Sequence, residues 1–178
     1  MFYNDLETER LLLKNISKDD REFIFSQFSD KEVSRYLFDA EPYTSIEEAD
    51  EIIEYYMQPE PRAQHRWIIV RKFDGAKIGT CGFHRWDFNE AKIEVGYDLK
   101  KEFWGNGYMS EALNEIINFA KTKMNLNIIN AYIYVDNHKS KQLVSKLGFV
   151  VTGTMNEIFR GKEYLHNIYS LNLERSYE

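Results

Sequence analysis

The sequence predicts an α/β (α+β) chain whose elements run β-α-α-β-β-β-α-β-α-β-β, and three stretches predict it. Ile93-Glu94-Val95-Gly96-Tyr97-Asp98-Leu99 alternates in polarity and is rich in β-branched and aromatic side chains, the pattern of a strand. Met109, Ala112, Leu113, Ile116, Ile117, Ala120 and Met124 recur at the spacing of one apolar helical face. Ile128 to Val135 is again β-rich, so the three form a βαβ unit, a connection that is right-handed almost without exception.

The remaining elements follow in order. Arg10 to Ile16 reads as the first strand, and Ser17 with Asp20 three residues on marks a helix start before Phe23, Ile24, Phe25 and Phe28. Ser45-Ile46-Glu47-Glu48 is a capping box ahead of Ala49, Ile52, Ile53 and Tyr56, and Pro59-Glu60-Pro61 ends that helix. Three strands come next, Arg66 to Arg71, Lys77 to Arg85 and Lys92 to Leu99, with turns at Phe73-Asp74-Gly75 and Asp87-Phe88-Asn89. The long helix is expected over Asn106 to Lys123. A short one follows from His138 to Lys146 with Gly148 as its C-cap. Phe149 to Ile158 and Tyr164 to Leu173, joined through Arg160-Gly161-Lys162, close the chain as two strands.

Composition narrows the function classes. The chain of 178 residues is read as a single domain, 1–178, able to bury its own core. With one cysteine there is no disulfide framework, and a reducing compartment suits it. No apolar run approaches the ~20 residues of a membrane span, and Met1-Phe2-Tyr3-Asn4-Asp5 has no signal-peptide pattern, so the expectation is cytoplasmic with no membrane partner. A net charge of −6 argues against nucleic acid and fits a cationic amine. His65, His84, His138 and His166 have no metal-ligand spacing, so no metal is expected.

The chemistry is concentrated between the central strand and the long helix, at Phe103-Trp104-Gly105-Asn106-Gly107-Tyr108-Met109-Ser110. A helix start leaves about four backbone N–H groups unpaired, and the helix dipole favours an anion there. Gly105 and Gly107 carry no Cβ and let a phosphate approach the backbone. A plain tight turn is the alternative. The G-K-S/T of a nucleotide P-loop is absent.

That loop, taken with the later Asn137, Ser140, Val144, Lys146, Gly148 and Phe149, resembles the GNAT superfamily of acyl-CoA-dependent N-acetyltransferases. Within it the chain is most similar to the branch of RimJ and RimL, which acetylate N-terminal amines of ribosomal proteins. The match runs from Thr8-Glu9-Arg10-Leu11-Leu12-Leu13 to Tyr169-Ser170-Leu171, with Glu102 where the family loop usually has Gln or Arg. The resemblance implies a mixed, mostly antiparallel sheet of about seven strands with helices on both faces. It also implies acetyl-CoA as co-substrate, held by Trp104, Gly105, Asn106, Gly107, Tyr108, Met109 and Ser110 at the loop. Tyr97 and Leu99 would pair with the pantetheine arm along the strand edge, with Asn137 and Ser140 on the other side. Such pairing needs two parallel strands to part at their ends.

Transfer of acetyl from a thioester to an amine needs an anchored donor, a neutral amine, a hydrogen bond to the carbonyl oxygen and support for the leaving thiolate. By resemblance a backbone N–H near Tyr97 or Asp98 serves the oxygen. The tyrosine that many relatives place on the short helix is replaced here by Val144, so the catalytic candidates are Ser140 for the thiolate and Glu94 as base. Ser140 capping its helix, and Glu94 lying in solvent or in an ion pair, are the alternatives. His84 is a second base and substrate-binding candidate, unless it only fills the sheet face. Tyr36 and Phe38, between the first two helices, are candidates for the acceptor site, with plain packing under a loop as the alternative. Cys81 is read as a buried strand residue rather than a nucleophile. Leu165-His166 stands where many relatives carry an acid.

The leading acceptor is a protein N-terminal α-amine. A small amine (polyamine, amino acid or antibiotic) or a non-catalytic CoA-binding module are the competing readings, and the oligomeric state, a homodimer included, is open.

Overall fold

Eight strands in the computed structural model, which describes residues 2–173, form one sheet in the order β1-β2-β3-β4-β5-β6-β8-β7. The strands are β1 (Leu6–Glu7), β2 (Leu11–Asn15), β3 (His65–Arg71), β4 (Ala76–Asp87), β5 (Lys92–Leu99), β6 (Ile128–Tyr134), β7 (Val150–Phe159) and β8 (Lys162–Asn172). The helices are α1 (Arg21–Ser29), α2 (Glu47–Tyr56), α3 (Tyr108–Lys123) and α4 (His138–Lys146). The expected element order therefore holds, and the expected count of about seven strands becomes eight. The addition, β1, is a two-residue strand paired to β2 through Leu6↔Leu13 and Glu7↔Leu12, too short to leave a periodicity. The ends of the expected domain, residue 1 and 174–178, lie outside the described residues.

Each helix start follows from its capping residues. Ser17 N–H donates to the Asp20 carboxylate at 2.8 Å, opening a turn of 3₁₀ helix that leads into α1. Glu48 accepts from the N–H groups of Ser45 (2.9 Å) and Thr44 (2.7 Å), the glutamate half of the expected capping box. Helix α3 begins at Tyr108 rather than Asn106, because Gly107 at φ 77 is left-handed and cannot be a helical residue. At the end of α4, Gly148 takes φ 92 and its N–H reaches the Ser145 carbonyl at 3.1 Å, as its place after the helix required.

The sheet is covered on both sides. On one face Leu11, Leu13, Trp67, Ile69, Phe83, Ile93 and Val95 pack against Met109, Ala112, Leu113, Ile116 and Ala120 of α3. Phe119 belongs to that buried stripe as well, whereas Ile117 is only half-buried. On the other face Ile16, Ile68 and Val70 meet Phe23 and Ile24 of α1 and Ala49, Ile53 and Tyr56 of α2. The unbroken apolar run Trp67-Ile68-Ile69-Val70 in β3 is the sequence mark of a strand buried on both sides.

One charged cluster lies inside the second face. Arg66 on β3, 8% exposed, donates to Asp98 on β5 (3.1 Å), to Thr80 on β4 (2.6 Å) and to the Tyr56 hydroxyl on α2 (3.0 Å). Asp98 also accepts from Thr80 (2.6 Å) and from Gln27 on α1 (2.7 Å). Both helices are thereby tied to three central strands through one ion pair. Arg66→Met leaves a buried carboxylate unpaired and is expected to destabilise the fold by about 3–5 kcal/mol. Urea unfolding checks this, and the double change with Asp98→Asn should cost less than the two singles added together.

Candidate active site

Pairing between β5 and β6, the only parallel pair among the described residues, covers just Lys92↔Ile128, Ile93↔Ile129 and Glu94↔Asn130. Beyond Glu94 the two strands part, as the resemblance required. The Lys100 N–H donates to the Ile78 carbonyl at 2.9 Å, and hydrogen bonding alternates along an antiparallel ladder. The backbone groups of Asp98 and Gly96 therefore turn toward β4, and those of Tyr97 and Leu99 turn into the opening. Of the two positions expected for an oxygen-binding N–H, this favours Tyr97. The Leu99 carbonyl, also on the open side, accepts the Trp104 indole N–H at 2.8 Å.

The glycine loop lies at the end of this opening. Gly105 and Gly107 stand at φ 78 and 77, and a Cβ added at Gly105 would meet nothing within 4 Å. None of the backbone N–H groups from Gly105 to Ser110 donates to a carbonyl or side chain among the described residues. The loop is shaped instead by the Asn106 amide, which donates to the carbonyls of Phe103 (3.1 Å) and Trp104 (3.0 Å). Arg10 donates to the Asn106 carbonyl (3.0 Å), pairs with Glu111 (2.7 Å) and lies 4.6 Å over the Tyr108 ring. A row of unpaired amides at a helix N-terminus, with a guanidinium alongside, fits a phosphate group. Met109 is buried and Tyr108 and Ser110 are half-buried, so their contribution to an anion lies in their backbone.

On the α3 side of the opening the Tyr97 hydroxyl and Ser140 Oγ are 3.0 Å apart. Burial pushes the Tyr97 phenol up to about 12, so it stays protonated. Asn137 caps α4, its side-chain oxygen accepting the Ser140 N–H at 3.2 Å. Lys139, one residue earlier than Ser140, holds its ammonium 4.2 Å from the Trp104 ring centroid.

The α1–α2 side carries the other candidates. Glu94 and His84 face each other across β5 and β4. Burial raises the Glu94 carboxyl above its usual range, and the Arg85 guanidinium, 3.3 Å away, opposes that. Burial, reinforced by the charges of Arg66 and Arg85, pushes the His84 imidazole down to about 3, so the ring is neutral. Phe38 is stacked on Tyr164 at 4.0 Å and meets Tyr134 edge-on at 4.8 Å, and Tyr36 lies 5.9 Å from Tyr134. His166, opposite Tyr134 on β8, donates Nδ1–H to the Tyr164 carbonyl at 2.8 Å. Cys81 is fully buried on the α3 face, and burial raises its thiol, which leaves it inert.

The structure thus brings Tyr97 together with Ser140, Glu94 with His84, and Tyr36 with Phe38. Sequence reasoning missed Arg10, Arg85 and the aromatic wall of Tyr134 and Tyr164. Arg10 is distant in sequence from Asn106, and the packing of β2 beside α3 brings them within hydrogen-bond reach. Tyr134 ends a strand whose alternation, Asn130, Tyr132 and Tyr134 against Ile129, Ala131 and Ile133, could have revealed its face.

Residues 10–150 match the family described as the acetyltransferase (GNAT) domain. The uncharacterized N-acetyltransferase YoaA of Bacillus subtilis (strain 168) is 35% identical over 170 residues, 93% of this chain and 95% of that protein. The acetyltransferase (GNAT family) from Bacillus anthracis superposes with a TM-score of 0.83 at 21% identity, covering 96% of this chain and 99% of that one. Spermidine N-acetyltransferase from Vibrio cholerae, solved in complex with CoA and spermine, gives 0.82 at 22% identity over 93% and 97%. With the family match spanning most of its length and a relative of this identity covering nearly all of it, the chain belongs to the GNAT family of N-acetyltransferases, enzymes that use acetyl-CoA.

Proposed function

We propose that this enzyme works in the cytoplasm, transferring acetyl from acetyl-CoA to the α-amine of a protein N-terminus, in the manner of the RimJ/RimL branch. The observation that carries the donor half is the row of unpaired amides from Gly105 to Ser110 at the end of the parted β5–β6 pair. Those amides and Arg10 hold the pyrophosphate, and the exposed flank of β5 at Tyr97 and Leu99 pairs with the pantetheine arm. Acetyl-CoA supplies the thioester. The Tyr97 N–H faces its carbonyl oxygen, Ser140, steadied by the Tyr97 hydroxyl, donates toward the sulfur, and Glu94 receives the amine proton.

The acceptor half rests on how weak the available base is. Glu94 is a carboxylate that burial raises and Arg85 restrains, and His84 is neutral with its charged form disfavoured. An α-amine titrates near ~7.7–8.0, so neutralising it at pH 7 costs about 1.4 kcal/mol, whereas a lysine near ~10.4 would need about 4.6 kcal/mol. A modest base matches the first. A polyamine is the second reading, supported by the similarity to the Vibrio cholerae enzyme solved with spermine and by the net charge of −6.

Gly105→Val fills the open space over the loop amides, and calorimetry should show CoA affinity falling at least about tenfold while the fold persists. Ser140→Ala should lower kcat by about 10- to 100-fold and leave CoA binding near wild type. Unchanged turnover would remove Ser140 from the chemistry, and no turnover in the wild type would favour a CoA-binding module. Steady-state rates on short peptides against spermidine separate the two acceptors, and activity confined to spermidine overturns the first.

The pH profile tests Glu94. It must be ionised to accept a proton, so kcat/KM falls as pH drops through its pKa. Arg85→Ala removes the main influence opposing burial, so that acid limb should move to higher pH.

A further inference from the structure

His84 is tied into the buried cluster in a way that fixes which of its nitrogens carries the proton. Arg66 has no lone pair to offer, so at 3.0 Å its Nη2–H donates to the Tyr56 oxygen. The phenol O–H is then free to point only at its other neighbour, His84 Nδ1, 2.9 Å away. Were His84 to donate from Nδ1 instead, the Tyr56 proton would be left without an acceptor inside the protein. Nδ1 is therefore the acceptor, and the single proton of the neutral ring is on Nε2.

Nε2 makes no hydrogen bond among the described residues. It lies against Gly96, close enough that a Cβ there would come within 2.5 Å of it. Gly96 is two residues beyond Glu94, the last residue of β5 paired to β6, and next to Tyr97, whose N–H faces the opening. An unpaired N–H thus stands on the acceptor side, beside the point where the two strands separate. His84 is half-buried, and its Nε2 is not among the unpartnered polar atoms shut off from solvent. Arg85, next to it in sequence, is a second donor and is paired with Glu94, the carboxylate that faces His84 across the strands.

A polycation has nothing to accept these hydrogen bonds. An α-aminoacyl group does, because its carbonyl or carboxylate oxygen lies on the carbon next to the one bearing the amine. We propose that His84, through Nε2–H, is a substrate-recognition residue that selects amines with an adjacent carbonyl or carboxylate oxygen over amines without one. This rests on the acetyl-transfer reading above. It keeps the substrate-binding part expected of His84 and replaces its part as a second base with that of a donor. Tyr56 and Arg66 are positioning residues that set its tautomer.

The experiment compares kcat/KM for matched acceptors: a short peptide amide, the free amino acid glycine, and propylamine and spermidine as amines lacking the oxygen. Wild type should prefer the aminoacyl acceptors over propylamine by about 10- to 100-fold. His84→Phe, which keeps a ring but no donor, should bring that ratio to within a few-fold, while His84→Gln, which restores an N–H, recovers part of it. The peptide and glycine arms show whether the oxygen is a peptide carbonyl or a free carboxylate.

A long-range proton–nitrogen NMR spectrum of the histidine rings provides a readout independent of turnover. It should show His84 protonated at Nε2 and bare at Nδ1, and Tyr56→Phe should mix the two forms. Retained CoA binding by calorimetry certifies that each variant is folded. A proton on Nδ1 in the wild type, or a ratio unmoved by His84→Phe, overturns this proposal alone. A wild type that binds CoA but acetylates none of the four acceptors overturns acetyl transfer to such amines, and this proposal with it.

Discussion

β5 is paired to β4 from end to end but to β6 only from Lys92 to Glu94, and the free flank left beyond Glu94 is the constraint on which the site depends. β6 cannot swing across to cover it, because it is itself paired to β8 along its full length. β5 cannot relax either, since the side chains at the free flank are pinned on opposite faces: Tyr97 by Ser140 of α4, Asp98 by Arg66, Thr80 and Gln27. An unpaired backbone edge inside a sheet is costly unless something satisfies it. The Trp104 indole takes one of those groups, the Leu99 carbonyl, and the rest form an edge shaped for an amide-bearing chain.

The parting also assigns the two faces. The glycine loop, α3 and α4 are on one side, where a phosphate finds unpaired amides. Glu94, His84 and the aromatic wall are on the other, where an amine would enter. On the proposed reading the two ligands approach from opposite sides of the sheet and meet where it is open.

Much of this was legible in the sequence because local signals carried it. The alternation of 93–99, the stripe of α3 and the glycines between them locate the loop, and Asn137 with Ser140 marks the start of α4. Capping chemistry placed α1 and α2 because Asp20 and Glu48 act within a turn of the residues they cap. What stayed hidden depends on contacts between distant segments. The Arg66–Asp98 pair joins residues that read separately as strand charges, and a sequence pattern treats each as solvent-facing. Likewise, nothing local could assign a tautomer to His84, since the phenol that decides it is on another element. The vacancy left by Val144 was visible, but not that Tyr97, from the neighbouring strand, would bring a phenol to Ser140.

The two sides of the site also differ in how firmly they are built. On the cofactor side the loop is held by Asn106 and Arg10 against a helix whose apolar face is fully packed, so the amides are fixed in place before any anion arrives. On the acceptor side the segment between α1 and α2 is fastened to the β7–β8 hairpin by Phe38 against Tyr164 and by the ion pair of Glu41 with Arg160. That ion pair is exposed and contributes little. The stacked rings add only about 0.5–1.5 kcal/mol per pair beyond their burial. Against the buried cluster that anchors the flanking helices, this fastening is weak. Fluctuations that admit an acceptor should therefore concentrate in residues 30–46 and leave the loop at Gly105 to Gly107, on the other face of the sheet, still.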